Sequence, residues 1–370
     1  MPTKSVLDDI AKIKSVDKSN MLSFCIDAPK HYEIASKASR KLKTSFPKPK
    51  KIIVTGMGGS AIGGELLKDW ARDKIAVPIE VCRDYSLPAY ADESTLVFVV
   101  SYSGETEESL SVFLDAVKRG CKIISLSSGG KLHEFAEKLD VPHITVPKGM
   151  APRATLPYLF MPLPSILESI GLVSNVDSEI SETVKVLKQV SIENSPAKPA
   201  NSNFSKSLAS AICGSVPVVY GFGFYRAVAQ RFKTQFNENS KVPAKWEFFP
   251  ELNHNEIVGW EGISDQAKLF SIILVRDAHE PVELRTRIET TKELMHKESL
   301  KIYEVYCKGK STLARMCSVI CVGDFVSVYL AVLRSVDPTP VRTINVLKER
   351  LAKSGTKDRI VKELEKIAGR

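Results

Sequence analysis

The segment 95–101, Thr-Leu-Val-Phe-Val-Val-Ser, constrains the fold more strongly than any other part of the chain. A strand that is apolar on both faces leaves no face for water, so it belongs in the centre of a parallel sheet covered by helices on each side. Short β-branched runs of this kind alternate with amphipathic helical segments along the first half of the chain. This alternation predicts an α/β fold with a doubly wound parallel sheet in three layers.

The pattern occurs twice. In the first half it predicts strands at 51–55, 78–82, 95–101, 121–127 and 143–146, and helices at 61–71, 107–118 and 131–139. After a helical stretch at 163–190 it predicts strands at 216–220, 268–275 and 301–306, helices at 225–236, 281–295 and 312–333, and two C-terminal helices. The only Pro/Ser/Asn-rich stretch lies between the halves. We therefore predict two α/β domains, at 1–190 and 207–370, joined by a linker at 191–206.

Composition excludes several protein classes. The 370 residues contain 44% hydrophobic and 26% charged residues, values typical of a globular protein. The longest apolar candidate for a membrane span, 156–173, is interrupted by prolines, and the N-terminus lacks an apolar core of signal-peptide length. We expect a soluble protein with no membrane partner. The seven cysteines are scattered and include no Cys-x-x-Cys pair, so a reduced cytoplasmic location fits best.

The net charge of +9 raises the question of nucleic-acid binding. Basic residues concentrate at 37–51 and in the tail 348–370, but neither segment interleaves aromatic residues or carries a known nucleic-acid-binding pattern. Solvated helix faces are the simpler interpretation, and a diffuse positive field that attracts small anions is a further one. We expect no nucleic-acid partner. The six histidines show no metal-ligand spacing, so we also expect no metal.

A glycine-rich loop, Gly56-Met-Gly-Gly-Ser-Ala-Ile-Gly-Gly, directly follows the first strand and opens a helix. Glycines let a backbone approach a ligand closely, and a helix N-terminus favours an anion. The spacing Gly56-x-Gly58-x-x-Ala61 also matches a dinucleotide-binding fingerprint, with Glu80 near the end of the next strand. On pattern alone, a phosphate site, a nucleotide site and a turn shaped by helix–sheet packing all stay open.

A hydroxyl-rich loop follows the central strand and also enters a helix. In Ser101-Tyr-Ser-Gly-Glu-Thr-Glu-Glu, three hydroxyls surround Gly104: those of Ser101, Ser103 and Thr106. Such neutral donors suit a phosphate dianion, although Ser or Thr before Glu also forms ordinary helix caps. Since two such loops follow adjacent strands, one phosphomonoester pocket explains them better than two separate caps.

A third segment concentrates amides, carboxylates and an imidazole. Asn237-Glu-Asn-Ser-Lys is followed by Pro250-Glu-Leu-Asn-His-Asn-Glu. A histidine between two asparagines can have its tautomer fixed and carry a proton near neutral pH, which makes His254 a candidate acid/base. Chemistry alone favours a solvated helix-end charge for Glu238.

Together with Pro152-Arg153-Ala154, these motifs resemble, in order along the chain, the archaeal-type bifunctional phosphoglucose/phosphomannose isomerases. That family belongs to the phosphoglucose isomerase superfamily and is built from two sugar-isomerase (SIS) domains. The resemblance continues to Asp337-Pro-Thr-Pro-Val and Leu347-Lys348. It implies two SIS-type αβα domains, a metal-independent and cofactor-free aldose–ketose isomerase, and a homodimer.

The resemblance also implies roles for individual residues. Glu238 corresponds to the catalytic base, and His254 to a ring-opening histidine that comes from the partner subunit. Arg153 lies beside the reacting carbons, and Lys348 assists at the sugar ring. The residues implied to bind the sugar phosphate are Gly58, Gly59, Ser60, Ser101, Ser103 and Thr106. Thr339 is a candidate for the residue that discriminates between the glucose and mannose configurations at C2 of the sugar.

Three alternatives stay open on the sequence. A non-catalytic SIS module that senses a sugar phosphate needs the hydroxyl loop but has no use for the Glu238 and His254 motifs. A nucleotide-linked dehydrogenase uses the glycine loop but does not explain the hydroxyl loop. A nucleic-acid binder predicts strongly salt-dependent association with duplex.

Overall fold

The computed structural model describes residues 5–38, 42, 46–263 and 265–369, so part of the basic segment 37–51 lies outside the described residues. The strands are β1 (Lys51–Thr55), β2 (Ile79–Cys82), β3 (Thr95–Val100), β4 (Lys122–Ser127), β5 (His143–Thr145), β6 (Val216–Phe222), β7 (Lys245–Phe249), β8 (Phe270–Arg276) and β9 (Lys301–Tyr306). The helices are α1 (Ile10–Val16), α2 (Met21–Ile26), α3 (Ala28–Ser36), α4 (Ile62–Ala71), α5 (Glu107–Lys118), α6 (Gly130–Lys138), α7 (Leu156–Phe160), α8 (Pro162–Ser169), α9 (Val176–Asn194), α10 (Phe204–Ala211), α11 (Arg226–Gln235), α12 (Val282–Lys297), α13 (Thr312–Leu333), α14 (Arg342–Ala352) and α15 (Thr356–Ala368).

The strands form two parallel sheets. The first has the order β2-β1-β3-β4-β5, and the second has the order β7-β6-β8-β9. Every residue of β3 is buried, because this apolar strand lies in the middle of the first sheet with helices on both sides. The predicted α/β fold with doubly wound parallel sheets is confirmed.

Both sheets reverse direction at a comparable point. From β1 the chain goes outward to β2 and then returns to β3 on the other side of β1, and β6, β7 and β8 repeat this path. In open α/β sheets the crevice at the carboxyl ends of such strands is the usual ligand site. The loops after β1 and β3 therefore lie where a ligand is expected.

The contacts between residues divide the chain into two compact units whose boundaries differ from the predicted linker. Met1–Pro29 and Glu179–Pro340 form one compact unit, and Lys30–Ser178 and Val341–Arg370 form the other. The C-terminal helices thus return to the unit of the first sheet. There, the buried Ile360 and Leu364 of α15 join the apolar core that contains α5.

The segment 191–206, predicted as a linker, is ordered within the unit of the second sheet and contains the end of α9 and the start of α10. Its polar side chains serve as local caps: the Asn203 side chain accepts a hydrogen bond from the Lys206 amide at 3.0 Å. The fully buried Lys206 ammonium donates to the carbonyls of Pro196 and Lys198 at 2.9 and 2.7 Å and pairs with Asp8 at 3.1 Å. A Pro/Ser/Asn-rich composition therefore marks a compact connection here.

The most apolar helix is α13 rather than the segment 156–173. By length and composition alone α13 could cross a membrane, with a mean hydropathy of 2.1 over its most apolar window. Within the fold, however, 89% of that window is buried, as it is in the core helix of a folded domain. The prolines at 157 and 162 stand at the starts of the separate helices α7 and α8.

Candidate active site

The glycine loop connects β1 to α4 and approaches the segment that carries Arg153. Gly58 has a φ of +51°, a backbone conformation that favours glycine. A Cβ on Gly59 would lie only 3.1 Å from the Pro152 carbonyl oxygen. The main chains of the glycine loop and of residues 152–153 therefore pack directly against each other, and Arg153 itself is buried with 2% exposure.

The hydroxyl loop is organised by its own side chains. The buried Ser101 hydroxyl donates to Thr106 Oγ1 at 3.1 Å and accepts a hydrogen bond from the Gly104 amide at 3.1 Å. Ser103 Oγ accepts a hydrogen bond from the Glu105 amide at 3.2 Å. Thr106 is the N-cap residue of α5, yet its side chain makes no capping hydrogen bond. The structure therefore disfavours the interpretation of this loop as an ordinary helix cap.

One hydrogen bond links the two loops. The Tyr102 amide in the hydroxyl loop donates to Ser60 Oγ in the glycine loop at 3.2 Å. Since β1 and β3 are neighbours at the point where the first sheet reverses direction, both loops occupy the same crevice. The structure thus brings together the predicted phosphate-binding residues of both loops.

A further segment, residues 146–153, contacts both loops. The Met150 amide donates to the Tyr102 hydroxyl at 2.9 Å. A Cβ on Gly129 would lie 3.2 Å from Lys148 Nζ, so the Lys148 ammonium lies over the turn that follows β4. Neither Lys148 nor Tyr102 was predicted to belong to the site, although Tyr102 lies inside the hydroxyl motif.

Carboxylates near the hydroxyl loop have partners of their own. Glu105 accepts a hydrogen bond from the Lys131 amide at 2.9 Å and forms an ion pair with Lys357. Glu107, in the first turn of α5, accepts a hydrogen bond from the Tyr85 hydroxyl, which raises the pKa of Tyr85 above its usual value. These contacts partly offset the negative charge beside a loop that is suited to an anion.

Glu238 lies in the unit of the second sheet, in a π-helical turn, Phe236–Ser240, that directly follows α11. The side-chain amides of the two asparagines that flank Glu238 hold this turn in place. Asn237 Nδ2 donates to the Val242 carbonyl at 2.8 Å, and Asn239 Nδ2 donates to Ser327 Oγ at 2.9 Å. The Lys241 ammonium donates to the carbonyl oxygen of Glu238 at 2.5 Å. π-Helical turns occur frequently at functional sites, so the backbone alone marks this segment.

His254 is exposed at the end of the short 3-10 turn Glu251–His254, after β7. Its neighbouring asparagines hold the turn rather than the imidazole. Asn253 Nδ2 donates to Thr291 Oγ1 at 2.8 Å, and Asn255 Nδ2 donates to Glu251 Oε1 at 2.7 Å. These partners correct the expectation that the two asparagines fix the tautomer of His254.

The residues after His254 are anchored to the second sheet. The Tyr220 hydroxyl on β6 donates to Glu256 Oε1 at 2.7 Å and accepts a hydrogen bond from Trp260 Nε1 at 2.9 Å. Burial, followed by the charge of Glu256, raises the pKa of Tyr220 far above its usual value. The segment that follows the exposed His254 is therefore held in place by hydrogen bonds to the second sheet.

Glu238 and His254 lie at opposite edges of the second sheet. The helix α11 begins after the carboxyl end of β6 and returns, so the π turn at its end lies at the amino edge, close to the start of β7. His254 follows the carboxyl end of the same strand. Five residues of β7, at roughly 3.3 Å each, place these edges about 16 Å apart.

Lys348 lies on α14, in the unit of the first sheet. Residues 342–350 of this helix are all exposed, and they include the apolar Leu347 at 55% exposure. This helix therefore presents Lys348 on an open surface of the single chain.

Comparisons with known proteins agree with this architecture. A family model described as SIS domain matches residues 45–143, and one described as bacterial phospho-glucose isomerase C-terminal SIS domain matches residues 201–351. A hypothetical protein of Thermus thermophilus has a solved structure that superposes with a TM-score of 0.74 at 15% identity, covering 93% of this chain and 94% of that one. At this identity the similarity shows the fold alone.

The sequence relatives are more informative. The bifunctional phosphoglucose/phosphomannose isomerase of Caldicellulosiruptor bescii is 45% identical over 324 residues, which cover 87% of this chain and 95% of that protein. The D-glucosamine-6-phosphate 4-epimerase of Sulfolobus acidocaldarius is 33% identical over 305 residues, which cover 81% and 89%. The chain belongs to the family of the bifunctional phosphoglucose/phosphomannose isomerases and carries a SIS domain in each half.

Proposed function

We propose that this chain is a metal-independent isomerase that interconverts glucose 6-phosphate and mannose 6-phosphate with fructose 6-phosphate. The observation that carries the proposal is the hydrogen bond from the Tyr102 amide to Ser60, which joins two phosphate-type loops in one crevice. The similarity to relatives of this name along most of the chain supports it. We place the reaction in the cytoplasm, as a step of glycolysis and gluconeogenesis.

The phosphate binds to neutral donors in this proposal. Gly58, Gly59 and Ser60 contribute from the first loop, and Ser101, Ser103 and Thr106 contribute from the second. Since the phosphate is remote from the reacting carbons, its binding energy orients the open-chain sugar without taking part in bond making. The rigid hydroxyl network around Gly104 supports such a role, because a preorganised loop loses little entropy on binding.

Isomerisation moves one proton between C1 and C2. Glu238 acts as the base: it takes the proton from one carbon, forms a cis-enediol(ate), and returns the proton to the other carbon. A positioned carboxylate of this kind contributes about 10²–10⁴-fold. The Arg153 guanidinium stabilises the oxygen that gains charge in the enediolate. Lys348 assists at the sugar ring.

His254 opens the sugar ring from the partner subunit of a homodimer. Two observations support this part of the proposal. His254 is exposed on the single chain, and it follows the carboxyl end of β7, whereas the turn that contains Glu238 precedes the start of that strand. A histidine of the same chain at that end of β7 is badly placed to serve a sugar beside Glu238.

The experiment follows fructose 6-phosphate turnover in EDTA, with glucose 6-phosphate and mannose 6-phosphate quantified separately. We expect both aldoses. If only one aldose forms, the enzyme is an isomerase of a single specificity. If turnover is lost in EDTA and returns when a divalent cation is added, the metal-free mechanism is contradicted. No turnover, with fructose 6-phosphate binding intact in calorimetry, supports a sugar-phosphate sensor instead.

The dimer is tested by complementation. The variants His254→Asn and Glu238→Gln are purified separately and mixed under conditions that exchange subunits. If His254 acts across the interface, mixed dimers contain one site with both residues intact, and activity returns to about a quarter of the wild-type value, since half of the dimers are mixed and each has one of two sites. No recovery on demonstrated exchange contradicts the shared site.

A further inference from the structure

We propose that Lys241 is a positioning residue that holds the Glu238 turn at a fixed distance from the segment Asp337-Pro-Thr-Pro. It thereby sets the product ratio, defined here as the ratio of the initial rates at which the two aldoses form from fructose 6-phosphate. This inference rests on the proposed function, in which Glu238 is the base. It concerns a side chain to which the sequence analysis gave no role. The structure provides the contacts that carry it.

Hydrogen bonds attach the π turn around Glu238 to α13. Asn239 and Ser240 are buried, and their side chains bond to Ser327: the Asn239 amide donates to Ser327 Oγ at 2.9 Å, and the Ser240 hydroxyl donates to the Ser327 carbonyl at 2.6 Å. Arg334 Nε also donates to the Ser240 carbonyl at 3.1 Å. These bonds fix the far end of the turn against a buried helix.

Lys241 forms a second set of contacts. Its backbone ends the π turn in the left-handed region, with φ 56° and ψ 41°. Its ammonium donates to the Glu238 carbonyl at 2.5 Å and to the Pro338 carbonyl at 2.8 Å. An ammonium has three donors, and hydrogen bonds from a charged donor are roughly twice as strong as neutral ones. One side chain therefore joins the backbone of the base to the backbone of the 337–340 segment.

The joined segment has a defined shape of its own. The Thr339 amide donates to Asp337 Oδ1 at 2.9 Å, so the chain turns tightly just beside Pro338. Thr339 is also the residue suspected of discrimination at C2. The Lys241 ammonium thus connects the base to the neighbourhood of a residue that is proposed to face the carbon where the proton returns.

The product ratio reports on this geometry. Glucose 6-phosphate and mannose 6-phosphate differ only in configuration at C2, so the face that receives the proton from Glu238 decides between them. A small displacement of the Glu238 turn relative to the 337–340 segment changes the rates of protonation on the two faces of C2 by different factors. A loss of general stability, in contrast, lowers the formation of both aldoses by the same factor.

The experiment compares Lys241→Met and Lys241→Arg with the control Lys233→Met, which removes a charge from the last turn of α11. For Lys241→Met we expect kcat to fall about tenfold, KM to stay within about threefold, and the glucose to mannose product ratio to move at least about twofold. Lys241→Arg retains a charged donor and recovers part of both effects. Lys233→Met behaves as wild type.

Hydrogen exchange provides a readout that does not depend on turnover. In Lys241→Met, peptides that cover 236–242 and 337–341 are expected to exchange faster together, with peptides from β3 unchanged. An unchanged product ratio in Lys241→Met, or unchanged exchange in the 337–341 peptide, overturns the inference. If wild type itself converts no fructose 6-phosphate, the proposed function fails and the effect of Lys241 on the product ratio fails with it. Faster exchange of both peptides in Lys241→Met would still show that Lys241 links the two segments.

Discussion

Replacing Gly104 by Ala tests whether the hydroxyl loop is a precisely held binding element. Gly104 has a φ of +68°, and a Cβ at this position would lie 1.8 Å from the Gly129 carbonyl oxygen. Real Cβ contacts are not shorter than 3.0 Å, so the two loops must separate by at least 3.0 − 1.8 = 1.2 Å. The neighbouring atoms are backbone, which cannot rotate away.

Gly120 offers a matched control. It has a φ of +64°, but nothing lies within 4 Å of the position of its Cβ. Gly120→Ala therefore carries the conformational penalty alone, about 1–2 kcal/mol in the free energy of unfolding. Gly104→Ala carries that penalty and a steric one, for a total of about 2–5 kcal/mol.

The assay combines urea denaturation with fructose 6-phosphate kinetics. A displacement near 1 Å in a binding loop lowers activity by up to about 100-fold, so we expect kcat/KM of Gly104→Ala to fall at least about tenfold while Gly120→Ala keeps wild-type kinetics. Equal free energies of unfolding for the two variants, together with wild-type KM in Gly104→Ala, would refute the reasoning.

Three further predictions follow from particular contacts. Ser101→Ala and Thr106→Ala should each raise KM for sugar phosphates more than they lower kcat, since the hydroxyls are proposed to bind the phosphate; unchanged KM in both variants supports a purely structural loop. Burial, with the nearby charge of His133, lowers the pKa of His143 to about 4, so the folded state resists protonation. The contribution of His143 to the free energy of unfolding should therefore be constant above pH 6.5 and decrease as the pH drops from 6.5 toward 4. We expect a decrease of about 1–2 kcal/mol, less than the full shift gives, because the ring is partly exposed and screened by solvent. His143→Asn should flatten this slope in denaturation curves. Lys206→Met should lower the free energy of unfolding by about 2–3 kcal/mol, because it removes a buried cation from a carboxylate and two carbonyls; a loss under about 0.5 kcal/mol in urea denaturation contradicts this.

Local patterns predicted every strand except β7 (Lys245–Phe249), and they predicted the loops after β1 and β3. The central position of β3 followed from an apolar run with no polar face, and the helix Glu107–Lys118 was predicted with the observed bounds. The hydroxyl loop was recognised because its chemistry is contiguous in sequence. In each case the physical cause acts over a few residues, so the sequence displays it directly.

The parts that could not be predicted depend on distant contacts. The return of α15 to the core around α5 joins residues more than two hundred positions apart, and periodicity gives no information about such a partner. The segment 191–206 looked like a linker because its composition does not show that the buried Lys206 pairs with the distant Asp8. The π turn at Glu238 likewise depends on Ser327, which no local pattern connects to it.

The most direct test of the proposed mechanism is the turnover of Glu238→Gln. The substitution preserves size but removes the negative charge and, with it, the capacity to take a proton. Glu261→Gln, which makes the same change on an exposed segment, serves as the control. The mechanism predicts that kcat for fructose 6-phosphate falls at least about 100-fold in Glu238→Gln with KM within about threefold of wild type, and that the control is unchanged. Retention of more than about a tenth of wild-type kcat in Glu238→Gln would contradict the assignment of this carboxylate as the base.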